Sequence, residues 1–284
     1  MKSASLALLS LAVLPLALGA YVQSRPRETA PTVTIIARDY TLDSPDTLSE
    51  GAVILRLVNQ GKEFHHIWIA RLEGGRTVDD VLAALKTHGP LPAWVQHAGG
   101  PNAPRPEGGE NSATVNLVPG NYIVACLIPS PDDIPHLMKG MVRPLTVVKT
   151  GRPAPAPEGD VIMTLRDYSF FFSRPLTAGK HVIEVRNEGT QWHEFELVQL
   201  AAGKTPHDVI AFIEHGIGSP PGLPIGGVSP LMPGGVSWFH ADLQPGRYAL
   251  ICFLPDRRDG KPHLEHGMLQ EIEVGAGLAA APAR

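Results

Sequence analysis

The chain repeats itself. Arg38-Asp39-Tyr40 returns as Arg166-Asp167-Tyr168, and Asn59 and Gly61 return as Asn187 and Gly189, all displaced by 128 positions. His65 maps onto His193, and Gly75 and Thr77 onto Gly203 and Thr205, at the same displacement. Pro119-Gly120, Tyr122 and Cys126 match Pro245-Gly246, Tyr248 and Cys252 at 126. Pro135-His136 and Gly140-Met141 match Pro262-His263 and Gly267-Met268 at 127. A fixed order of matches with small drifts in spacing marks a duplicated structural unit carrying loop insertions. Shared among 284 residues, each copy is long enough to bury a core without help from disulfides.

The copies are placed at residues 31–149 and 160–275. Between them residues 150–159 carry alternating prolines, which favour an extended, semi-rigid spacer. Residues 276–284 lack any periodic pattern and read as a flexible tail. Residues 1–20 read as an export signal, with Lys2 ahead of an apolar run from Ala4 to Leu18 and small residues at Ala17-Leu18-Gly19-Ala20. The alternative is a short uncleaved anchor, for which the run is marginal in length. Either way the remainder is expected outside the cytoplasm, periplasmic or secreted. The formal charge of −4 gives no reason to expect nucleic acid or an anionic membrane as a partner.

Short β-branched or aromatic runs recur in each copy, at Val33–Ile36, Val53–Val58, Ile67–Ile69, Ala113–Leu117, Tyr122–Cys126 and Leu145–Val148 in the first. Bounded by Gly, Pro, Asn or Asp, they predict an all-β antiparallel sandwich in each copy. One helix interrupts each copy. Thr77 is a good N-cap, Asp79 and Asp80 complement the helix dipole, and Val78, Val81, Leu82 and Leu85 fall on one face, with Gly89 closing the end. Thr205 and Pro206 repeat the start in the second copy.

Each copy also gathers metal-ligand residue types in two stretches. The first runs from Asn59 and Gly61 to His65, matched by Asn187, Gly189 and His193. The second runs from Tyr122 through Cys126 and His136 to Met141, matched by Tyr248, Cys252, His263 and Met268. A thiolate, two imidazoles and a thioether together favour copper. In these residues each copy resembles the cupredoxin, or blue copper, family: Asn-x-Gly with a following His, then Pro-Gly-x-Tyr-x-x-x-Cys, His and Met. The resemblance implies two tandem cupredoxin-like Greek-key sandwiches. It also implies His65, Cys126, His136 and Met141 as one copper ligand set and His193, Cys252, His263 and Met268 as the other. One departure is that nine and ten residues separate Cys from the second His, where the family has only a few.

Other roles suit the same residues. Both cysteines fit buried inert thiols, and a Cys126–Cys252 disulfide is disfavoured between equivalent points of two cores. His65 and His193 fit backbone caps, and Met141 and Met268 fit packing residues. His66, His266 and Met138 stand near enough in sequence to join a different ligand set. His88, His97, His181, His207, His215 and His240 have no repeated partner and read as surface or loop residues.

His-x-His pairs and a His-Cys-His tripeptide, by which multicopper oxidases resemble one another, do not occur. Haem, phosphate-loop and nucleophile-elbow motifs are also missing, so the expectation from sequence is a protein that is not an enzyme. Two functional readings follow. One is an exported copper-binding or electron-transfer protein with a redox partner protein. The other is a metal-free cupredoxin-like binding or interaction module.

Overall fold

The computed structural model describes residues 29–87, 91–216 and 219–276. The export-signal reading, Gly89, His88 and residues 277–284 of the tail lie outside them. No helix among the described residues is long and apolar enough to cross a membrane.

The first repeat supplies strands β1 (Thr32–Arg38), β2 (Thr41–Asp43), β3 (Thr47–Ser49), β4 (Gly51–Asn59), β5 (Trp68–Leu72), β6 (Val95–Gly99), β7 (Gly109–Leu117), β8 (Gly120–Ala125) and β9 (Val142–Val148). The second supplies β10 (Val161–Arg166), β11 (Ser169–Phe172), β12 (Gly179–Asn187), β13 (His193–Leu200), β14 (Gly222–Leu231), β15 (Val236–Leu243), β16 (Gly246–Ile251) and β17 (Leu269–Val274). Helices α1 (Val78–Leu85) and α2 (Pro206–His215) open on the expected caps, where Thr77 with Asp80 and Thr205 with Asp208 each form a reciprocal capping box.

Each repeat folds as a two-layer sandwich. Ile35, Leu55, Leu57, Ile69, Val115 and Val124 are among the side chains that fill the first core, where the strands alternate inward and outward. Met163, Ile183, Val185, Phe195, Phe239 and Leu250 belong to the second. The helices cover the outer face of one layer, α1 over Trp68 and Ile123 and α2 over Val198 and Ile251. Tyr122 and Tyr248 brace equivalent corners, their hydroxyls donating to the Val118 and Gln244 carbonyls at 2.8 Å.

The sequence suggested two sandwiches on a spacer; the structure joins them edge to edge through both layers. One sheet runs β11-β10-β12-β15-β7-β4-β1-β2 and the other β17-β16-β13-β14-β6-β5-β8-β9-β3, so both cross from one repeat to the other. The contact pairs equivalent residues with each other. Ala113 faces Phe239 in β7–β15, and Pro101 bridges Val228 beside β6–β14. Side chains reach across reciprocally: Asn102 Nδ2 donates to the Phe195 carbonyl at 3.1 Å, and Ser229 Oγ donates to the Ile67 carbonyl at 2.9 Å. A duplicated chain thereby builds the self-complementary contact that two identical subunits make around a two-fold axis. The spacer packs as well, with the Ala52 amide donating to the Ala154 carbonyl and the Thr150 and Gly151 amides to Glu50.

This contact corrects the reading of several histidines. His97 is buried at the junction, where it accepts a 2.8 Å hydrogen bond from Trp68 Nε1 and meets the Trp192 ring at 3.9 Å between centroids. His240 bonds Thr114 across the repeats at 2.7 Å, whereas His181 is buried by its own repeat, against Asp160 at 2.6 Å. Joining the sheets covers faces that a free sandwich would expose. His207 and His215 are exposed on α2, as the sequence reading expected.

Candidate metal centres

The first histidine of each group is delivered by a compact turn after β4 or β12. Asn59 Oδ1 accepts from the Gly61 amide and Asn59 Nδ2 donates to the Glu63 carbonyl, both at 2.9 Å. A Cβ on Gly61 would overlap Asp39 Oδ1 and His65 Nε2, and one on Gly189 would overlap Asp167 Oδ1 and His193 Nε2. That close approach is the physical reason for glycine in the Asn-x-Gly pattern.

The second histidine returns to the cysteine despite the long interval. His136 N donates to the Ile128 carbonyl, Leu137 N to the Cys126 carbonyl, and Cys126 N to the Met141 carbonyl. A Pro129–Pro135 bridge pinches the intervening residues into a side loop. Leu254, Cys252, Met268 and the Pro255–Pro262 bridge repeat the arrangement around His263. The additional residues lengthen the excursion without moving its ends, consistent with the slow growth of loop-closure cost with length.

Two buried groups result. His65 Nδ1 lies 3.1 Å from His136 Nδ1, and Cys126 Sγ lies 3.4 Å from His136 Nδ1. In the second repeat His193 Nδ1 lies 3.1 Å from His263 Nδ1, and Cys252 Sγ lies 3.4 Å from it. The donor atoms of each trio all lie within 4.8 Å of one another. Both cysteines are free thiols, so no disulfide joins the copies. Met141 and Met268 are fully buried beside their cysteines' backbones, whereas Met138 is exposed. His66 is turned away from the trio, its Nδ1 3.3 Å from Asn102 Oδ1 and its Nε2 accepting from the Leu127 amide at 2.9 Å.

The sequence reading missed the carboxylates around these trios. Asp39 Oδ1 takes His65 Nε2 at 3.0 Å, and Asp167 Oδ1 takes His193 Nε2 at 2.7 Å. Both aspartates sit in two-residue hairpin turns whose next residue, Tyr40 or Tyr168, holds a left-handed φ of 67° or 69°. Such a φ is costly for tyrosine and marks a constrained position. The signal was available, because Arg-Asp-Tyr recurs unbroken in both repeats. Glu63 Oε2 takes His136 Nε2 at 2.8 Å while Glu63 Oε1 accepts from the Tyr40 hydroxyl at 2.7 Å. Gln191 replaces Glu63 in the second repeat, and Asp256 Oδ2 approaches His263 Nε2 only to 4.0 Å.

Burial pushes the Cys126 thiol up to about 12 and the Cys252 thiol up as well. Burial also lowers His65 and His193 against the raising effect of their aspartates. His263 falls to about 4 through burial and then His193. Burial works to raise Asp39 and Glu63, but hydrogen bonds win and hold both carboxyls below their ordinary values, from the Lys62 amide at Asp39 and the Tyr40 hydroxyl at Glu63. Ionised carboxylates only accept, so the Nε2 atoms of His65 and His136 are donors. Their Nδ1 atoms then present lone pairs 3.1 Å apart, a contact that either a shared proton or a bound metal ion relieves. A cysteine with two histidines is the donor set of copper electron-transfer centres, so the residues fit copper.

In each repeat the sandwich brings together the His, Cys and His that the sequence resemblance implied. No family model matches the chain, and no curated protein matches it. Solved structures similar to it include an auracyanin from Roseiflexus castenholzii, at 21% identity over 43% of this chain and 99% of that one, with a TM-score of 0.30. A copper-containing nitrite reductase from Thermus scotoductus is similar at 12% identity over 88% of this chain and 62% of that one, with a TM-score of 0.26. A blue copper oxidase from Nitrosomonas europaea is similar at 16% identity over 88% and 86%, with a TM-score of 0.27.

The expectation that the protein is not an enzyme is corrected. It rested on missing motifs, among them His-x-His pairs and the His-Cys-His tripeptide, yet the fold assembles a His–Cys–His trio in each repeat from residues distant in sequence. The tripeptide pattern does not set copper enzymes aside.

A further group, Asp256, Asp259 and His266, joins the side loop of the second repeat to the turn that follows it. Its atoms are engaged with Tyr168, Gln191, Arg258 and Lys261 or with each other. It is a hydrogen-bonded cluster that braces the loop.

Proposed function

We propose that the chain is an exported copper protein that passes electrons one at a time. His65, Cys126 and His136 hold one copper with Met141, and His193, Cys252 and His263 hold the other with Met268. The observation that carries this reading is the convergence of two imidazole Nδ1 atoms and one thiol in each buried trio. Copper so held supplies reversible one-electron chemistry. The protein's part is to keep water out, to orient three of the four imidazoles through Asp39, Glu63 and Asp167, and to give up the thiol proton when metal enters.

Export rests on the apolar N-terminal run and a redox partner protein on the family resemblance. Titrating the mature protein with Cu(II), without reductant, tests the core of the proposal. The expected result is an intense visible thiolate-to-copper band saturating at two equivalents, matched by metal analysis. A colourless end point with no bound copper would return the chain to a metal-free interaction module.

A further inference from the structure

The two trios share their inner geometry and differ in what stands behind the second histidine. In the first repeat His136 Nε2 donates to Glu63 at 2.8 Å, and Glu63 is itself fixed by the Tyr40 hydroxyl at 2.7 Å. In the second repeat the position of Glu63 belongs to Gln191, whose amide donates to Asp256 at 2.9 Å. His263 Nε2 is buried without a hydrogen-bond partner, and Asp256 stops 4.0 Å away. Asp256 is held back by Tyr168, Gln191 and Arg258, the last at 3.2 Å from its Oδ1. A carboxylate therefore grips His136, whereas a carboxylate balanced by a guanidinium stands off from His263.

We infer that Glu63 is a positioning residue that makes the two metal sites unequal. It fixes His136 as the Nε2–H tautomer with the Nδ1 lone pair turned into the trio, and so sets the first site at the lower reduction potential. A carboxylate behind a ligand imidazole makes it the stronger donor and favours the more highly charged metal ion. His263 Nε2 has no such partner, so nothing behind this imidazole fixes which nitrogen carries its proton. Electrons then run downhill from the first repeat to the second, a direction that the duplication by itself does not provide. This inference rests on the proposed copper ligation, and its test separates the two.

The full chain is loaded with Cu(II) as two single-site proteins, Cys252→Ala for the first site and Cys126→Ala for the second. Their potentials are measured by optical redox titration, with and without Glu63→Gln. The first site should have the lower potential. Glu63→Gln should shift its Cu(II)-over-Cu(I) preference by roughly tenfold or more, as losses of such outer partners do. Each tenfold change raises the potential by about 59 mV for a one-electron couple. The second site should not move. Equal potentials in the parent sites, or a first site unmoved by Glu63→Gln, would overturn the inference while copper binding stood.

If neither protein binds copper, the ligation proposal fails and nitrogen NMR of the metal-free chain decides the role of Glu63. A single Nε2–H tautomer at His136 that becomes mixed in Glu63→Gln would uphold it. A mixture already present in the parent protein would overturn it.

Discussion

Immediately behind their metal trios the two repeats solve one packing problem with opposite chemistry. His66 and Trp68 in the first repeat occupy the positions of Glu194 and Glu196 in the second. His66 Nε2 accepts the Leu127 amide, and the equivalent Phe253 amide faces the Glu194 carboxyl. Trp68 finds His97, whereas neither carboxyl oxygen of Glu196 has a partner. Burial lowers His66 to about 4 and raises Glu194 to about 7, in each case favouring the neutral form. Burial and then Glu194 also push Glu196 well above its ordinary value. A duplicated backbone thus conserves the slot and its demand for a neutral group, while leaving the choice of group to each copy.

The comparison breaks most sharply at the cysteines. Cys126→Ala and Cys252→Ala should each abolish one of two copper equivalents and its share of the visible band, read by metal analysis and absorption. Loss of both equivalents in either single variant would show that the sites form as one unit.

The pH dependence of stability comes next, and its sign differs between repeats. Unfolded His66 takes up a proton below about 6.5, so its contribution is intact above that pH and is lost as pH falls to about 4. Unfolded Glu194 ionises above about 4.5, so its contribution is intact below that pH and declines as pH rises to about 7. At 1.36 kcal/mol for each pH unit separating folded from unfolded values, either effect reaches about 3 kcal/mol. Urea unfolding at pH 4.5 and 8 should show Glu194→Gln more stable than the parent only at pH 8. His66→Gln should flatten the acid limb instead. The same pH slope in both variants would refute the contrast.

Gly61→Ala and Gly189→Ala probe what the repeats share. Each introduces a methyl into an aspartate–histidine contact, so each should cost about 1–3 kcal/mol and weaken copper binding at its own site. Calorimetric titration of both variants checks this, and unimpaired binding would show that the turn can give way. The smallest effects belong to the caps. Thr77→Ala and Thr205→Ala should each cost about 1 kcal/mol. Local hydrogen exchange should open α1 more readily, since α2 also has Pro206 at its start and left-handed Gly216 at its end.

Much of this molecule was legible in one dimension. Duplication, strand class, helix caps and the Asn-x-Gly turn are local or periodic features, and local geometry restricts which residues can provide them. The His, Cys, His and Met pattern was legible because the same order appears twice. Asp39 and Asp167 were visible as an identity but not as partners of the trios, since only the hairpin turn at a left-handed tyrosine brings them to His65 and His193. Glu63 was concealed by its replacement with Gln191, because a comparison of repeats rewards sameness and this residue matters through its difference.

Tertiary structure alone decided three matters. It returned His136 and His263 to their cysteines by pinching the long loops at Pro129–Pro135 and Pro255–Pro262. It fused the sandwiches through both sheets, which buried His97 and made equivalent residues face each other. It also set Glu63 within hydrogen-bonding distance of one trio and held Asp256 back from the other. Each depends on contacts between residues far apart in the chain, and differences of about 1 Å there separate a bond from a gap. Sequence order specifies which residues a repeat brings, whereas such distances emerge only when the whole fold is packed.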